Sequence, residues 1–88
     1  MAVQDTDKAA KVCADILQTY PKGDVIIKSG LDLGKMESVK SFVKSIENIH
    51  LNGIINNAGM QTLEHKATVD GFETIFAKNH LGPFLLTN

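Results

Sequence analysis

Apolar positions along the chain change period several times. Ala9, Val12, Cys13, Ile16 and Tyr20 recur at spacings of three and four, which predicts a helix over Asp7 to Thr19. Asp5 or Thr6 is placed to cap it, and Pro21-Lys22-Gly23 stops it. Val25-Ile26-Ile27 then makes a short unbroken β-branched run, and Asp24 to Lys28 reads as a strand covered on both faces. Ser29-Gly30 and Leu31-Asp32-Leu33 follow. Met36, Val39, Phe42, Val43, Ile46 and Ile49 form a helical stripe, so a second helix is expected from about Lys35 to Ile49. Leu51 to Ile55 reads as another buried strand, running into Asn56-Asn57-Ala58-Gly59. Beyond a polar loop with Gln61, Glu64, His65 and Lys66, a third helix is predicted from near Thr68, carrying Phe72, Ile75 and Phe76. A break is expected at Asn79. Gly82-Pro83 then opens a further helix through Phe84-Leu85-Leu86-Thr87-Asn88, since proline is tolerated in a first turn. Alternation between the two periods predicts an α/β fold.

Composition narrows the function classes. Nine Lys plus Arg against ten Asp plus Glu leave a net charge of −1. A nucleic-acid surface needs a surplus of cations, and so does a polybasic membrane anchor; neither is expected. No apolar run approaches the ~20 residues of a membrane-spanning helix. Met1 to Lys11 lacks the apolar stretch of a secretory signal. Cys13 is the only cysteine, so no intramolecular disulfide forms, and a reducing, cytoplasmic setting fits. The 88 residues allow only ~60–65% of the chain surface to be buried, so the core must be nearly complete for the chain to stand alone.

Three stretches carry candidate chemistry. Asn56-Asn57-Ala58-Gly59 lies at the carboxyl end of a predicted strand, where open α/β sheets bind ligands. Ala58 and Gly59 would let a flat ligand approach the backbone, although Asn and Gly also make plain turns. Asp32 sits at the end of the preceding strand and could accept from an adenine amino group; a helix cap or turn residue is its commoner role. Asn79-His80-Leu81-Gly82 begins twenty residues after Gly59. His50, His65 and His80 are spaced by fifteen, which fits no close-packed metal motif, so no metal site is expected. Cys13 reads as apolar filler.

In order and spacing, Asn56-Asn57-Ala58-Gly59, Asp70-Gly71-Phe72-Glu73 and Asn79-His80-Leu81-Gly82 together resemble the short-chain dehydrogenase/reductase family, most strongly its retinol-dehydrogenase-like branch. The resemblance runs from about Ala2 to Asn88. It implies a partial Rossmann fold, a doubly wound parallel sheet of which this chain supplies about two strands and three to four helices. Residues 1–88 would be an incomplete NAD(P)-binding domain, from the end of strand 2 to the start of the helix after Asn79. By the same resemblance Asn57, Ala58 and Gly59 line the dinucleotide, and Asp32 contacts the adenine ring. Asn79 matches the catalytic asparagine, which holds a water in the proton relay. Gln4 falls where many relatives carry an arginine that pairs with the 2′-phosphate of NADP. It has no charge, so both NADP(H) and NAD(H) stay open as the cofactor.

The resemblance also implies that the family's glycine-rich turn would precede Met1, and that its Ser and Tyr-x-x-x-Lys would follow Asn88. Tyr20 is the only tyrosine, and with Lys22 it does not match that motif. Hydride transfer to a carbonyl needs a positioned proton donor. The chain alone is therefore expected to be inactive. In the family's 3-2-1-4-5-6 order, Asp24–Lys28 would be strand 3 and Leu51–Ile55 strand 4, three strand spacings or ~14 Å apart. Without the strands between them, the two are expected to pair directly or stay partly molten. The leading reading is part of an oxidoreductase acting on a small lipophilic alcohol, aldehyde or ketone, with a homo-oligomeric parent left open. The alternative is a non-catalytic binding or regulatory fragment that docks on a full-length homologue. A flavodoxin-like receiver is the third reading, and no acidic phosphoacceptor cluster speaks for it.

Overall fold

The computed structural model describes all residues from Met1 to Asn88. They form two compact units, Met1–Leu31 and Asp32–Asn88.

The first unit is a strand–helix–strand turn. Strand β1 (Ala2–Val3) leads into helix α1 (Thr6–Thr19), which returns the chain to strand β2 (Lys28–Ser29). The helix starts where a donor-rich first turn finds an acceptor: the Asp5 carboxylate accepts the Lys8 N–H at 3.0 Å. A cap of this kind contributes about 1 kcal/mol. The helix ends as the Tyr20 N–H donates to the Ile16 carbonyl, and Gly23 then donates to Tyr20 at 2.9 Å to close the Pro21 turn. The strands are parallel, with Ala2 opposite Lys28 and Val3 opposite Ser29. Lys28 N–H donates to the Met1 carbonyl at 2.8 Å, and the terminal ammonium donates to the Ile26 carbonyl at 2.6 Å. A parallel pair needs a crossover, and α1 is that crossover. Ala9 is its buried contact, while Cys13, Ile16 and Leu17 are half-buried.

In the second unit, helix α2 (Met36–Ser45) buries Val39 and Phe42. Its C-terminus tightens into i→i+3 turns, with Ile46 donating to Val43 and Ile49 to Ile46. An exposed stretch follows. Lys66 to Thr74 then folds into a narrow turn with an isolated antiparallel bridge between Ala67 and Glu73. Gly71 has φ +83°, a conformation that a side chain would strain. Helix α3 (Thr74–Phe76) continues through a π-helical turn (Ala77–Leu81) into helix α4 (Gly82–Thr87). Ala77 is fully buried. Gly82 is also buried, and a Cβ there would land on the Leu33 carbonyl. The missing side chain is what lets α4 settle on the backbone of the Leu33 turn. Leu85 completes the α2–α4 contact beside Val39 and Val43.

An α/β fold with one parallel pair agrees with the sequence reading, and the pair is the one that the 3-2-1-4-5-6 order sets side by side, the end of strand 2 with strand 3. Asp24–Lys28 shrinks to Lys28–Ser29, and its partner is Ala2–Val3. Leu51–Ile55 forms no strand, and direct pairing of the two apolar runs does not occur. Ile26 is 60% exposed between half-buried Val25 and Ile27, so one face of that run is covered and not both. The second helix stops at Ser45, short of Ile49. The third begins at Thr74, because Thr68–Phe72 is spent on the turn. Asn79 lies in no break: the helix passes through it with one wide turn.

Candidate functional site

Residues 55–59 are exposed and lie, with Met60, beside the α3–α4 helix. Two asparagines hold them there. Asn56 Nδ2 donates to Thr87 Oγ1 at 3.0 Å, and that hydroxyl donates on to the Pro83 carbonyl at 2.8 Å. Asn79 makes a reciprocal pair with one residue: its Oδ1 accepts the Met60 N–H, and its Nδ2 donates to the Met60 carbonyl, both at 2.8 Å. A primary amide carries the one acceptor and one donor that the N–H and C=O of a single residue require. Between these ties, Asn57 N–H donates to the Ile55 carbonyl at 3.0 Å in a tight turn. Asn57, Ala58 and Gly59 are therefore brought next to Asn79. A Cβ on Gly59 would stop 3.7 Å from Asn79 Oδ1.

The wide turn gives Asn79 a second property. Gly82 N–H reaches back five residues to the Ala77 carbonyl. Pro83, four residues after Asn79, has no N–H, so the Asn79 carbonyl loses its α-helical donor. π-turns of this kind are frequent at functional sites. The Asn79 amide is thus spent on Met60, while its backbone carbonyl is deprived of its usual partner.

Asp32 belongs to the same unit and shapes the turn before α2. Its Oδ1 accepts the Gly34 N–H at 2.9 Å, its carbonyl accepts Lys35 N–H at 3.1 Å, and its own N–H donates to Ser38 Oγ at 2.8 Å. This is the turn-former role anticipated as the common one for a lone aspartate. Gln4 is exposed and belongs to the first unit, directly after β1.

Two acidic residues of the Lys66–Thr74 turn serve helix starts. Lys35 gives α2 no side-chain cap; instead Asp70 Oδ2 accepts the Met36 N–H at 3.0 Å. Glu73 caps α3, taking Phe76 N–H at 2.8 Å and Ile75 N–H at 3.0 Å. The amides of Phe76 and Ile75 hold the Glu73 carboxyl below its ordinary range, with His65 adding a smaller pull. Motif spacing gave no sign of the Asn79–Met60 pair, the Asn56–Thr87 tie or the distant Asp70 cap. Pro83 at four residues past Asn79 was the one legible signal. His80 stacks on Phe76 with ring centres 5.2 Å apart, and Phe84 lies 6.4 Å away on its other side.

The residues present fit one wall of a dinucleotide cleft. The exposed strip at Ala58 and Gly59 offers a methyl group and a hydrogen, flat enough for a ring to lie along the backbone. No helix of the chain is long and apolar enough to cross a membrane.

Comparison with known proteins bears on this arrangement. No family model matches the chain, and no solved structure does. Curated sequences do match. Retinol dehydrogenase 11 of Homo sapiens is 38% identical over 90 residues, taking in all of this chain and 28% of the relative. Short-chain dehydrogenase TIC 32 B of Brassica napus, a chloroplastic protein, is 40% identical over 90 residues, again 28% of its length. A short-chain dehydrogenase/reductase of Penicillium roqueforti is 40% identical over 88 residues, 25% of its length. The chain thus spans little more than a quarter of the curated relatives it matches. Along its whole length the chain is similar to short-chain dehydrogenases/reductases, retinol dehydrogenases among them.

Proposed function

We propose that residues 1–88 are an incomplete NAD(P)-binding domain, contributing part of the site of an oxidoreductase for small lipophilic alcohols, aldehydes or ketones. Asn57, Ala58 and Gly59 line the dinucleotide, Asp32 contacts its adenine, and Gln4 faces the region of the 2′-phosphate. NADP(H) is the preferred cofactor by family habit, with NAD(H) open because Gln4 is uncharged. When bound, the nicotinamide gives or takes the hydride. Asn79 acts through its backbone carbonyl, which accepts a hydrogen bond from a water of the proton relay. The observation that carries this reading is the pairing of Asn79 with Met60, together with Pro83 four residues on. The amide is engaged by Met60, and Pro83 cannot give the Asn79 carbonyl the usual i+4 N–H.

These 88 residues hold no glycine-rich turn and no Tyr-x-x-x-Lys, so the chain alone turns over no carbonyl substrate. The test is a chimera in which this chain replaces the matching segment of human retinol dehydrogenase 11. It should reduce retinal with NADPH, and Asn79→Ala within it, which keeps that carbonyl but cuts the two ties to Met60 that place it, should lower kcat at least tenfold. A chimera that folds, binds NADPH and is indifferent to Asn79→Ala would sink the reading. A second reading, a non-catalytic fragment docking on a full-length homologue, draws on the exposed Leu51–Ile55 stretch, where Ile55 is 90% exposed. It predicts that the purified chain changes the rate of an intact relative, and a null result in that mixture removes it.

A further inference from the structure

The turn Asp70-Gly71-Phe72-Glu73 touches neither Asn57–Gly59 nor Asn79 by any contact described above, yet it closes the starts of two helices. Helix α2 begins with Met36, whose N–H has no partner within the helix. Lys35 cannot cap it, and Asp70, 34 residues further along the chain, does so at 3.0 Å. Three residues later Glu73 caps α3 with both carboxylate oxygens. The turn that spaces them is fixed by Thr68 N–H on the Phe72 carbonyl at 2.7 Å, Gly71 N–H on the Thr68 carbonyl at 2.9 Å, and Gly71 at φ +83°.

What these two helix starts hold gives the turn its meaning. Met36 directly follows the Asp32–Lys35 turn, and Ser38 of the first helical turn accepts the Asp32 N–H. Six residues beyond Glu73 stands Asn79. Asp70 therefore anchors the segment carrying the adenine-side carboxylate, and Glu73 the segment carrying the relay asparagine. One short turn sets both. Two further contacts brace the same two segments: α4 rests on Leu33 through Gly82, and the Lys78 side chain lies over Gly34.

We propose that Asp70 is a positioning residue: it acts through the Met36 amide to hold the Asp32 turn in the geometry that receives the adenine end of the dinucleotide. The proposal rests on the reading of Asp32 given above, and Asp70 touches no ligand.

The test has two arms. In the purified chain, Asp70→Ala should speed amide exchange at Met36 and Gly34 roughly fivefold to tenfold, the effect of losing a helix cap. Asp70→Asn keeps an acceptor oxygen and should stay within about twofold. Unchanged exchange at Met36 in Asp70→Ala overturns the proposal. In the retinol dehydrogenase 11 chimera, Asp70→Ala should raise KM for NADPH severalfold with kcat nearly unchanged, and Asp70→Asn should restore it. Asp32→Ala is the reference. If it raises KM for NADPH and Asp70→Ala does not, positioning by Asp70 is wrong while the Asp32 reading stands. If Asp32→Ala itself leaves KM alone, the Asp32 reading is wrong and Asp70 has nothing to position. Equal loss of kcat and soluble protein in the Ala and Asn variants also overturns it, since that marks a fold requirement without selectivity for cofactor.

Discussion

Phe42 and Ile55 are large apolar residues of the same unit with opposite fates. Phe42 is 6% exposed and Ile55 is 90% exposed. Hydrophobicity does not separate them; neighbours do. Helix α2 satisfies its own backbone, so it needs only one apolar face covered, and α4 covers it. The Leu51–Ile55 stretch has the composition of a strand but cannot pair its backbone with itself. A strand needs an adjacent chain. The first unit makes the same point from the other side. Lys28–Ser29 is no more apolar than Leu51–Ile55, and it becomes a strand because Ala2–Val3 lies beside it.

The comparison breaks if the two halves respond alike to equal substitutions. Phe42→Ala removes a buried ring and should cost about 3 kcal/mol in a urea melt of the chain. Ile55→Ala should change stability by less than ~0.5 kcal/mol, as surface replacements do. Glycines offer a second matched pair. Gly82→Ala puts a methyl group onto the Leu33 carbonyl, which is backbone and cannot swing aside. It should cost about 1–3 kcal/mol, the usual penalty for overpacking. Gly59→Ala meets Asn79 Oδ1 at an ordinary 3.7 Å and should be nearly neutral. A Gly82→Ala variant as stable as the parent would show that α4 does not need its close seat.

Asn79 ties the exposed stretch to the α3–α4 helix. Asn79→Ala removes both hydrogen bonds to Met60 and should cost about 1–2 kcal/mol, with the loss seen as faster exchange of the Met60 amide. Asn79→Asp keeps the acceptor for the Met60 N–H but sets an anion against the Met60 carbonyl. It should rank between the parent and Asn79→Ala at neutral pH. Exchange at Met60 that is insensitive to both changes would mean that the open stretch is held by Asn56 and Thr87 alone.

Periodicity read the helices well where burial follows a face. The range Asp7–Thr19 differs from α1 by one residue, and Val39 and Phe42 of the second stripe are core. It failed where the outcome depends on a partner elsewhere. Val25-Ile26-Ile27 and Leu51–Ile55 carry local strand propensity, which says nothing about whether a neighbouring strand is present. The start of the third helix was misplaced because Gly71 and the Thr68–Phe72 hydrogen bond claim residues that the apolar spacing assigned to a helix. In the site, the Asn79 motif and the asparagine loop were legible as strings, and the structure brings them side by side. Their reciprocal hydrogen bonds were not legible, since a tie across nineteen residues leaves no local pattern. Asp32 was weighed as turn former and as ligand contact, and its hydrogen bond to Gly34 shows the first role at work.

The smallest expected effect sits at the start of α3, and acid should expose it. The Phe76 and Ile75 amides bind the ionised form of Glu73, so its folded carboxyl titrates below its ordinary range. A carboxylate lowered on folding contributes stability that is present in full above its unfolded pKa, about 4.3. That contribution fades as pH falls through the lower, folded value. Between pH 6 and 5, the Ile75 and Phe76 amides should hold steady. Below about pH 4 they should exchange faster than expected from the intrinsic rate, while the Asn57–Gly59 amides follow the intrinsic rate alone. Glu73→Gln keeps one acceptor oxygen and cannot titrate, so it should start with weaker protection at Ile75 and Phe76 and show no acid step. An acid step that survives in Glu73→Gln would assign it to another carboxylate, with Asp70 at the start of α2 the next group to replace.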